Sequence, residues 1–353
     1  MTAGKEFRWA VVGMGRHSRQ YVLPGIGSSA RGALAAIVTS DPDSARRFVE
    51  PWGAPRIHET FEAVLADAEV DGILLSTPNH VHHRQVLAAA DAGKHVLCEK
   101  PLALSADEAA EMVHRCLAAG VVLGTGFHLR HNEVHREARE VIRSGRIGRV
   151  QYVHAHYAHR TSTPVRTGPR PAGIPPVAAW RRDPALAGGG AFVSTGSHII
   201  DLLRFLTGLD VLDVQARADA APSQELNLAF VAGLTGGALA TVQAGELALP
   251  ENEIAVSGTH GTLTCRGSVG NHGRGRLTVV TADGTQTRDP APRDVYAAEC
   301  DAFVLAVQQG RPANASGEDG LRAQEVIDAA YASAADGIRV RVTHRDVLGM
   351  EHA

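Results

Sequence analysis

Short apolar runs alternate with helix-like segments through the first third of this chain, up to about residue 126. The runs WAVVG, ALAAIV, GILLS, HVLC and VVLGTG have the continuous hydrophobicity of strands that are buried on both faces. Between them, segments 42–52, 80–92 and 105–119 have helical periodicity. A repeated strand and helix is typical of a parallel sheet covered by helices on both faces, so the sequence predicts an N-terminal Rossmann-type α/β domain over residues 1–126.

The pattern changes beyond residue 150. The segments QYVHAHYAH, LNLAFVAGLTGGALATVQA, EIAVSGTHGTLTC and RLTVVTADGTQTR alternate apolar and polar residues between turn signals, and the last contains an Asp283-Gly284 hairpin signal. These features predict an antiparallel sheet in a second domain over residues 127–353. Residues 160–178, rich in Pro, Gly, Thr and Arg, predict a long loop.

Composition excludes several classes of partner. The net charge is -3 and the pI is about 6.7, so a basic surface that would bind nucleic acid is not expected. No apolar run approaches the roughly 18 residues that span a membrane, and the polar start followed directly by WAVVG lacks the regions of a signal peptide. Four dispersed cysteines without a CxxC pair are typical of reduced thiols. The sequence therefore predicts a cytoplasmic protein with neither nucleic acid nor membrane as a partner.

The first strand leads into Gly13-Met14-Gly15-Arg16-His17-Ser18. In a dinucleotide-binding fold the first glycine makes the tight turn, the second lets the backbone approach the pyrophosphate, and the following helix N-terminus supplies N–H donors. Because this GxG follows a buried strand and precedes a helix, we expect Gly13, Met14, Gly15, Arg16 and His17 to bind the cofactor.

The end of the second strand bears on the choice between NADP and NAD. An Asp or Glu at this point commonly holds the ribose 2′-hydroxyl of NAD, whereas here the strand ends in Thr39-Ser40. Asp41 comes slightly later, and Arg46 and Arg47 follow on the next helix. The pattern favours NADP bound through Thr39 and Ser40. NAD remains an alternative, with Asp41 either turned back to the ribose or serving only as a helix N-cap.

Lysine is rare in this chain, which has only Lys5, Lys94 and Lys100 among 35 Lys and Arg residues. Arginine cannot give up its proton in a protein, whereas burial can lower the pKa of a lysine toward neutrality. Lys100 follows the buried run HVLC at a strand end, where α/β proteins place their sites. We expect it to exchange a proton with substrate; the alternative is a surface lysine at a strand end.

Several motifs together resemble the Gfo/Idh/MocA family of NAD(P)-dependent sugar and inositol oxidoreductases. They are Gly13-x-Gly15, Ser76-Thr77-Pro78-Asn79 with His82, Glu99-Lys100-Pro101, Trp180-Arg181, Gly188-Gly189-Gly190 and Gly196-x-His198-x-x-Asp201. The resemblance implies a Rossmann domain, a C-terminal substrate-binding and oligomerisation domain on a large, mainly antiparallel sheet, and homodimers or homotetramers formed through the open sheet face.

The resemblance also implies roles for individual residues. Lys100 and His198 are expected to be catalytic, and Lys100, Ser194, His198 and Asp201 to contact substrate. The cofactor contacts expected by resemblance are Ser76, Pro78, Asn79, His82, Glu99, Lys100, Arg130, Trp180 and Arg181. The departure is Ser194, which stands four residues before His198 where the family commonly has Asp. His198 is thereby left as the evident base, and the substrate subclass is open.

The expected activity is transfer of a hydride between nicotinamide and a secondary alcohol or ketone of a sugar, sugar derivative or cyclitol. Two alternatives stay open: a non-catalytic sensor or regulator on the same fold, and cofactor-dependent cleavage of a glycoside. The segment His131-Asn132-Glu133-Val134-His135 lacks the order of a zinc-binding HExxH helix, so no metal is expected.

Overall fold

The structure is a computed structural model that describes residues 6–53, 55–158, 178–221, 225–246 and 252–347. The loop predicted over residues 160–178 lies outside the described residues except at its last position. The strands are β1 (Phe7–Val12), β2 (Gly32–Val38), β3 (Arg56–His58), β4 (Gly72–Leu75), β5 (His95–Cys98), β6 (Leu123–Thr125), β7 (Val150–Ala158), β8 (Val211–Ala218), β9 (Asn227–Leu234), β10 (Leu239–Gly245), β11 (Glu253–Gly258), β12 (Gly261–Arg266), β13 (Arg276–Thr281), β14 (Gly284–Arg288) and β15 (Val340–Arg341). The helices are α1 (Leu23–Ser28), α2 (Pro42–Val49), α3 (Phe61–Leu65), α4 (His82–Asp91), α5 (Ala106–Ala118), α6 (Glu133–Arg143), α7 (Pro184–Ala187), α8 (Ala191–Thr207), α9 (Val295–Gln308) and α10 (Gly317–Asp336).

The first sheet has the order β3-β2-β1-β4-β5-β6, and all of its pairs are parallel. All five predicted strands of this domain are present, which confirms the Rossmann-type prediction. The strand β3 and the helix α3 were not predicted, because neither has more than five residues and so neither shows a full period. The strand order reverses between β1 and β4, so the crevice outside the carboxyl ends of these strands is the expected ligand position.

The second sheet has the order β14-β13-β12-β11-β7-β10-β9-β8-β15. Its pairs are antiparallel except for the parallel pair of β7 and β10, which confirms a mainly antiparallel sheet. Strands β13 and β14 form the predicted hairpin, with Gly284 at φ +120°. Helix α8 packs against β7 and β10, so this sheet carries one wall of the site described below.

The C-terminal helices return to the first sheet. Phe303 of α9 packs on Trp9 and Phe7 of β1, with ring centroids 5.2 and 6.4 Å away. At Gly124 in β6, a Cβ atom would stand 2.9 Å from the ring of Phe303, so glycine is needed for this close packing. Helix α10 packs along α5. Helices α9 and α10, although distant in sequence, therefore share a core with the Rossmann domain. The division into domains of residues 1–126 and 127–353 stays a prediction.

The four cysteines are buried and free, as the sequence predicts. Among the described residues, no helix combines the length and apolar composition needed to cross a membrane.

Candidate active site

A cleft of about 690 Å³ opens at the carboxyl ends of β1 and β2. Gly13 has φ +96°, and a Cβ atom there would stand 2.5 Å from the carbonyl oxygen of Ser76, so only glycine fits this turn. A Cβ atom on Gly15, in contrast, would meet nothing within 4 Å, which leaves its backbone open to the cleft. A helix begins directly after Gly15 with a π-helical turn over Ser18–Val22 that continues into α1. This arrangement of open backbone and helix start suits a bound pyrophosphate.

The side chains at the end of β2 line the same cleft. Thr39, Ser40 and Asp41 all border it. The carboxylate of Asp41 accepts a hydrogen bond from the backbone N–H of Ser44 at 3.0 Å, so it caps α2 as one of the two sequence interpretations predicts. Exposed Arg46 pairs with Asp43 and does not line the cleft.

The arginine at this end of the cleft is Arg19, which sequence reasoning missed. It lies one helical turn after Gly15, and its backbone N–H donates to the carbonyl of that glycine at 3.1 Å. Its Nε donates to the carbonyl of Met14 at 3.0 Å, and its Nη2 to the hydroxyl of Ser44 at 2.9 Å. Burial lowers its pKa from the ordinary value, although the nearby carboxylate of Asp41 opposes that shift. Its place one turn beyond the GxG was the signal available in the sequence.

The residues that follow β4 connect the two halves of the site. The amide of Asn79 donates to the carbonyl of Ala187 at 2.7 Å, which binds this turn to the second domain. His82 is fully buried, and its two ring nitrogens lie 3.0 Å from the carbonyl oxygen of Pro101 and 3.2 Å from that of Thr77. Its imidazole therefore ties the turn after β4 to the turn after β5, and the cofactor contact expected of His82 stays a prediction.

Glu99 and His17 form the next contact toward the second domain. The ring Nε2 of His17 lies 2.8 Å from a carboxylate oxygen of Glu99, which joins the glycine turn to the end of β5. Burial alone would raise the pKa of Glu99, but the charge and hydrogen bond of His17, with smaller effects of Lys100 and His128, hold it at about 2. Glu99 is therefore a carboxylate at any working pH.

Lys100 reaches across to helix α8. Its Nζ donates to the backbone carbonyl of Ser194 at 3.0 Å. Burial lowers the pKa of Lys100 to about 8, against the opposing charge of Glu99 and with a smaller contribution from the charge of Arg181. The ammonium of Lys100 can therefore lose its proton near working pH, whereas the guanidinium of an arginine at this position could not.

The triple glycine sets the start of α8. Gly188 ends α7 at φ +85°, and the N–H of Gly190 donates to the hydroxyl of Tyr331 at 3.2 Å. A side chain on Gly190 would collide with Glu225. The glycines therefore let the start of α8 pack closely on Glu225 and Tyr331. This packing sets the position of α8 relative to Lys100.

His198 lies on α8 one turn beyond Ser194 and is buried. Aromatic rings surround its imidazole: His128 at 4.8 Å between centroids, Tyr157 at 6.0 Å and Phe127 at 6.3 Å. The structure therefore brings His198 to the same side of α8 as the residue that Lys100 contacts. The substrate contacts expected of Lys100 and His198 stay a prediction. The neighbours His128 and Tyr157 were missed, because contacts between distant segments leave no local signal.

Arg130 and Asp201 face each other instead of the cleft. Arg130 Nε donates to the two carboxylate oxygens of Asp201 at 2.9 and 3.1 Å, and Nη1 donates to Asp319 at 3.1 Å. Both partners are at most 5% exposed. A buried ion pair therefore already uses these charges, and the expected cofactor contact of Arg130 and substrate contact of Asp201 stay predictions.

Two family models match this chain, one in the region of the first sheet and one in the region of the second. The model described as "Oxidoreductase family, NAD-binding Rossmann fold" matches residues 7–127, and that of the "GFO/IDH/MocA C-terminal domain" matches residues 135–264. Together they cover well over half of the chain. The chain belongs to the GFO/IDH/MocA oxidoreductase family.

Characterised members of the GFO/IDH/MocA family are similar over almost the whole length. The chain is 31% identical over 323 residues to 1,5-anhydro-D-fructose reductase of Ensifer adhaerens, covering 89% of this chain and 92% of that protein. It is also 31% identical over 325 residues to D-xylose 1-dehydrogenase (NADP(+)) 2 of Haloferax volcanii, covering 91% and 95%. The crystal structure of aldose-aldose oxidoreductase from Caulobacter crescentus superimposes with a TM-score of 0.84 at 26% identity, covering 96% of this chain and all of that one.

Two further candidate residues of this GFO/IDH/MocA chain lie on a turn of the second domain. Trp180 and Arg181 belong to a 3-10 turn over Ala179–Arg182, and the guanidinium of Arg181 lies 4.6 Å from the centre of the Trp180 ring. The charge of Arg181 acts on Lys100 and Glu99 and so belongs to the same electrostatic site. Within the described ranges, no cluster of His, Cys, Asp or Glu could hold a metal ion.

Proposed function

We propose that this protein is an NAD(P)-dependent dehydrogenase or reductase acting on a secondary alcohol or ketone of a sugar, sugar derivative or cyclitol. The observation that carries the proposal is the convergence of Lys100 with the helix that bears His198, next to a cleft suited to a dinucleotide. The names of the relatives, a reductase of anhydrofructose and a dehydrogenase of xylose, support the same chemistry.

The residues of the cleft fit a nicotinamide cofactor. The open backbone at Gly15 and the helix start behind it would hold the pyrophosphate, and Glu99 at the end of β5 would accept hydrogen bonds from a ribose. The nicotinamide supplies or accepts the hydride when bound. The protein residues then have two tasks: to hold the substrate carbon against the ring and to exchange the hydroxyl proton.

Lys100 and His198 would divide the second task. In alcohol oxidation the hydroxyl proton moves to neutral His198 or neutral Lys100 as the hydride leaves the carbon. In ketone reduction the same group returns a proton to the oxygen. The pKa of Lys100 near 8 suits it to either direction, since a general acid or base is most effective close to working pH.

NADP is the preferred cofactor in this proposal. Arg19, Thr39 and Ser44 meet at the end of the cleft where a ribose 2′-phosphate would lie, and the carboxylate of Asp41 is engaged in capping α2. The name of the Haloferax volcanii relative states NADP. NAD remains the alternative because Asp41 also borders the cleft.

We also propose a homodimer or homotetramer formed through the open face of the second sheet. Leu239 of β10 and Tyr152 of β7 lie opposite each other in the register, and Val231 of β9 lies two residues along on the same face. These side chains are 39 to 52% exposed, an apolar patch of the kind that a partner covers. A cytoplasmic location, supported by the buried free cysteines, completes the proposal.

One experiment tests the function. The purified protein is incubated with a panel of aldoses, inositols and anhydrosugars and with NADP or NAD, and formation of reduced cofactor is followed at 340 nm. Turnover with a sugar or cyclitol supports the proposal. Tight binding of cofactor and sugar without turnover would instead support a sensor, and release of an aglycone from a glycoside would support glycoside cleavage.

A further inference from the structure

His128 occupies a central position that the proposed function does not use. It begins a 3-10 turn over His128–His131, close behind the end of β6. Its ring is stacked on Tyr296 at 4.7 Å between centroids with an interplanar angle of 22°. It meets the ring of His198 edge to face, at 4.8 Å and 77°. Two residues earlier, a Cβ atom on Gly126 would stand 3.1 Å from the carboxylate of Glu99, so this segment runs between Glu99 and His198.

The imidazole of His128 holds a nitrogen that lacks a partner. Nε2 is buried and makes no hydrogen bond within the described part of the chain. A buried polar atom left unpaired lowers the stability of the fold, and native structures keep few such atoms without a functional reason. A phenylalanine would fill the same space between Tyr296 and His198 without that cost. We therefore expect this nitrogen to form a hydrogen bond in another state of the protein.

Burial also fixes the charge of this ring. It lowers the pKa of His128 to about 3, with smaller effects of His17 and Lys100 in the same direction and Glu99 opposing. The ring is therefore neutral at working pH and carries one nitrogen that accepts a hydrogen bond. Proton transfer to His198 would give an imidazolium with two N–H donors, and a nearby acceptor such as Nε2 of His128 stabilises such a charge in a buried environment.

We propose that His128 is a positioning residue for His198, whose Nε2 accepts a hydrogen bond from the His198 imidazolium after a small rotation of the two contacting rings. The proposal rests on the proposed function. During oxidation the substrate O–H bond breaks, its proton forms an N–H bond on His198, and the hydride leaves the same carbon for the nicotinamide. His128 stabilises the imidazolium formed in that step, a task for which α8 has no carboxylate at Ser194.

Other charged and titratable groups also surround this pair. They are Glu99 and Lys100 after β5, His17 in the glycine turn, Tyr157 in β7, Tyr296 and Glu299 in α9, and the buried pair Arg130 and Asp201. Their electrostatic effects on the pKa of His198 are the same in the wild-type protein and in a variant of residue 128. A comparison of the two therefore isolates the contribution of His128.

The test measures the pKa of His198 by NMR titration of the full-length protein, with its signal assigned from a His198→Asn variant. In His128→Phe the pKa of His198 should fall by about one pH unit, because the charged form loses its acceptor. His128→Gln, whose amide oxygen accepts a hydrogen bond, should restore most of that shift. His131→Phe is the matched control, since His131 lies on the same turn with similar burial and has no ring contact with His198 among the described residues.

Kinetics gives a second measurement once a substrate is known. In His128→Phe the acidic limb of the pH dependence of kcat should move to lower pH, kcat should fall about tenfold, and the Kd of the cofactor should stay within twofold. An unchanged pKa of His198 in His128→Phe, or an equal shift in His131→Phe, would overturn the proposal. If His128→Phe does not fold, the pair His128→Gln and His128→Met decides, because the two side chains match in size and only Gln has a strong acceptor. Absence of turnover on any sugar would refute the proposed function, while the NMR titration would still judge the pairing.

Discussion

Lys100 donates from Nζ to the backbone carbonyl oxygen of Ser194 at 3.0 Å, and this hydrogen bond joins the end of β5 in the Rossmann sheet to helix α8 of the second domain. The contact is made with the backbone of Ser194, so it does not depend on the type of side chain at that position. His198 follows one turn later on the same helix. A lysine that follows β5 and a histidine of α8 are thereby brought to the same side of this helix.

Replacement of Lys100 by Arg tests whether the site needs the proton of this lysine or only its charge. Lys100→Arg should lower kcat by roughly two orders of magnitude, the usual scale for loss of a general acid or base, and leave the Kd of the cofactor nearly unchanged. Steady-state kinetics and a cofactor titration measure both. Lys94→Arg is the control, because Lys94 only binds the carbonyls of Asp67 and Val70 away from the cleft. Near-normal kcat in Lys100→Arg would show that charge alone is sufficient.

Replacement of Thr39 by Asp tests the cofactor preference. The carboxylate would repel a 2′-phosphate at the end of the cleft, so the Kd of NADP should rise at least tenfold while that of NAD changes little or falls. Fluorescence titrations with both cofactors measure the two constants. Thr39→Asn, the neutral isostere, should show a much smaller effect on NADP. Wild-type protein that binds NAD more tightly than NADP would contradict the premise.

Replacement of Ser194 by Asp restores a carboxylate one helical turn before His198. A negative charge there favours the protonated imidazole and so raises the pKa of His198. Because His198 must be neutral to accept a proton, the acidic limb of the pH dependence of kcat for oxidation should move to higher pH. Ser194→Asn should leave the limb in place. An unmoved limb in Ser194→Asp would mean that His198 is not the titrating base or that residue 194 does not face it.

Replacement of Asp201 by Asn separates a structural role from a substrate contact. The change leaves the buried Arg130 with Asp319 as its remaining carboxylate, and we expect the free energy of unfolding to fall by about 3 kcal/mol. The KM of the folded enzyme should change less than threefold. Denaturant titration and steady-state kinetics measure the two quantities. Asp210→Asn, which breaks the more exposed pair with Arg204, should cost at most about 1 kcal/mol. A large rise in KM in Asp201→Asn without loss of stability would instead support the expected substrate contact of Asp201.

Both sheets and the glycine turn could be predicted from the sequence because their signals are local. Buried runs, their alternation with helical segments and the GxG after β1 each occupy a few consecutive residues. The placement of Lys100 at a strand end follows from the same local pattern, since the carboxyl ends of parallel strands meet at one edge of the sheet. The sequence alone also shows that residue 100 is a lysine in a chain that has only two other lysines and uses arginine for its remaining cationic side chains.

The partners of these residues were decided by tertiary structure. Arg130 and Asp201 are 71 positions apart, and only packing shows that they neutralise each other; His82 likewise meets carbonyls that no pattern in its own segment indicates. Arg19 and His128 enter the site because the glycine turn and the end of β6 converge on the same sheet edge, opposite α8. The sequence by itself determined which chemical groups stand at the strand ends. The tertiary structure decided which of them face the cleft and which are paired in buried contacts. A buried polar group needs a partner, and that partner comes from a segment that is remote along the chain.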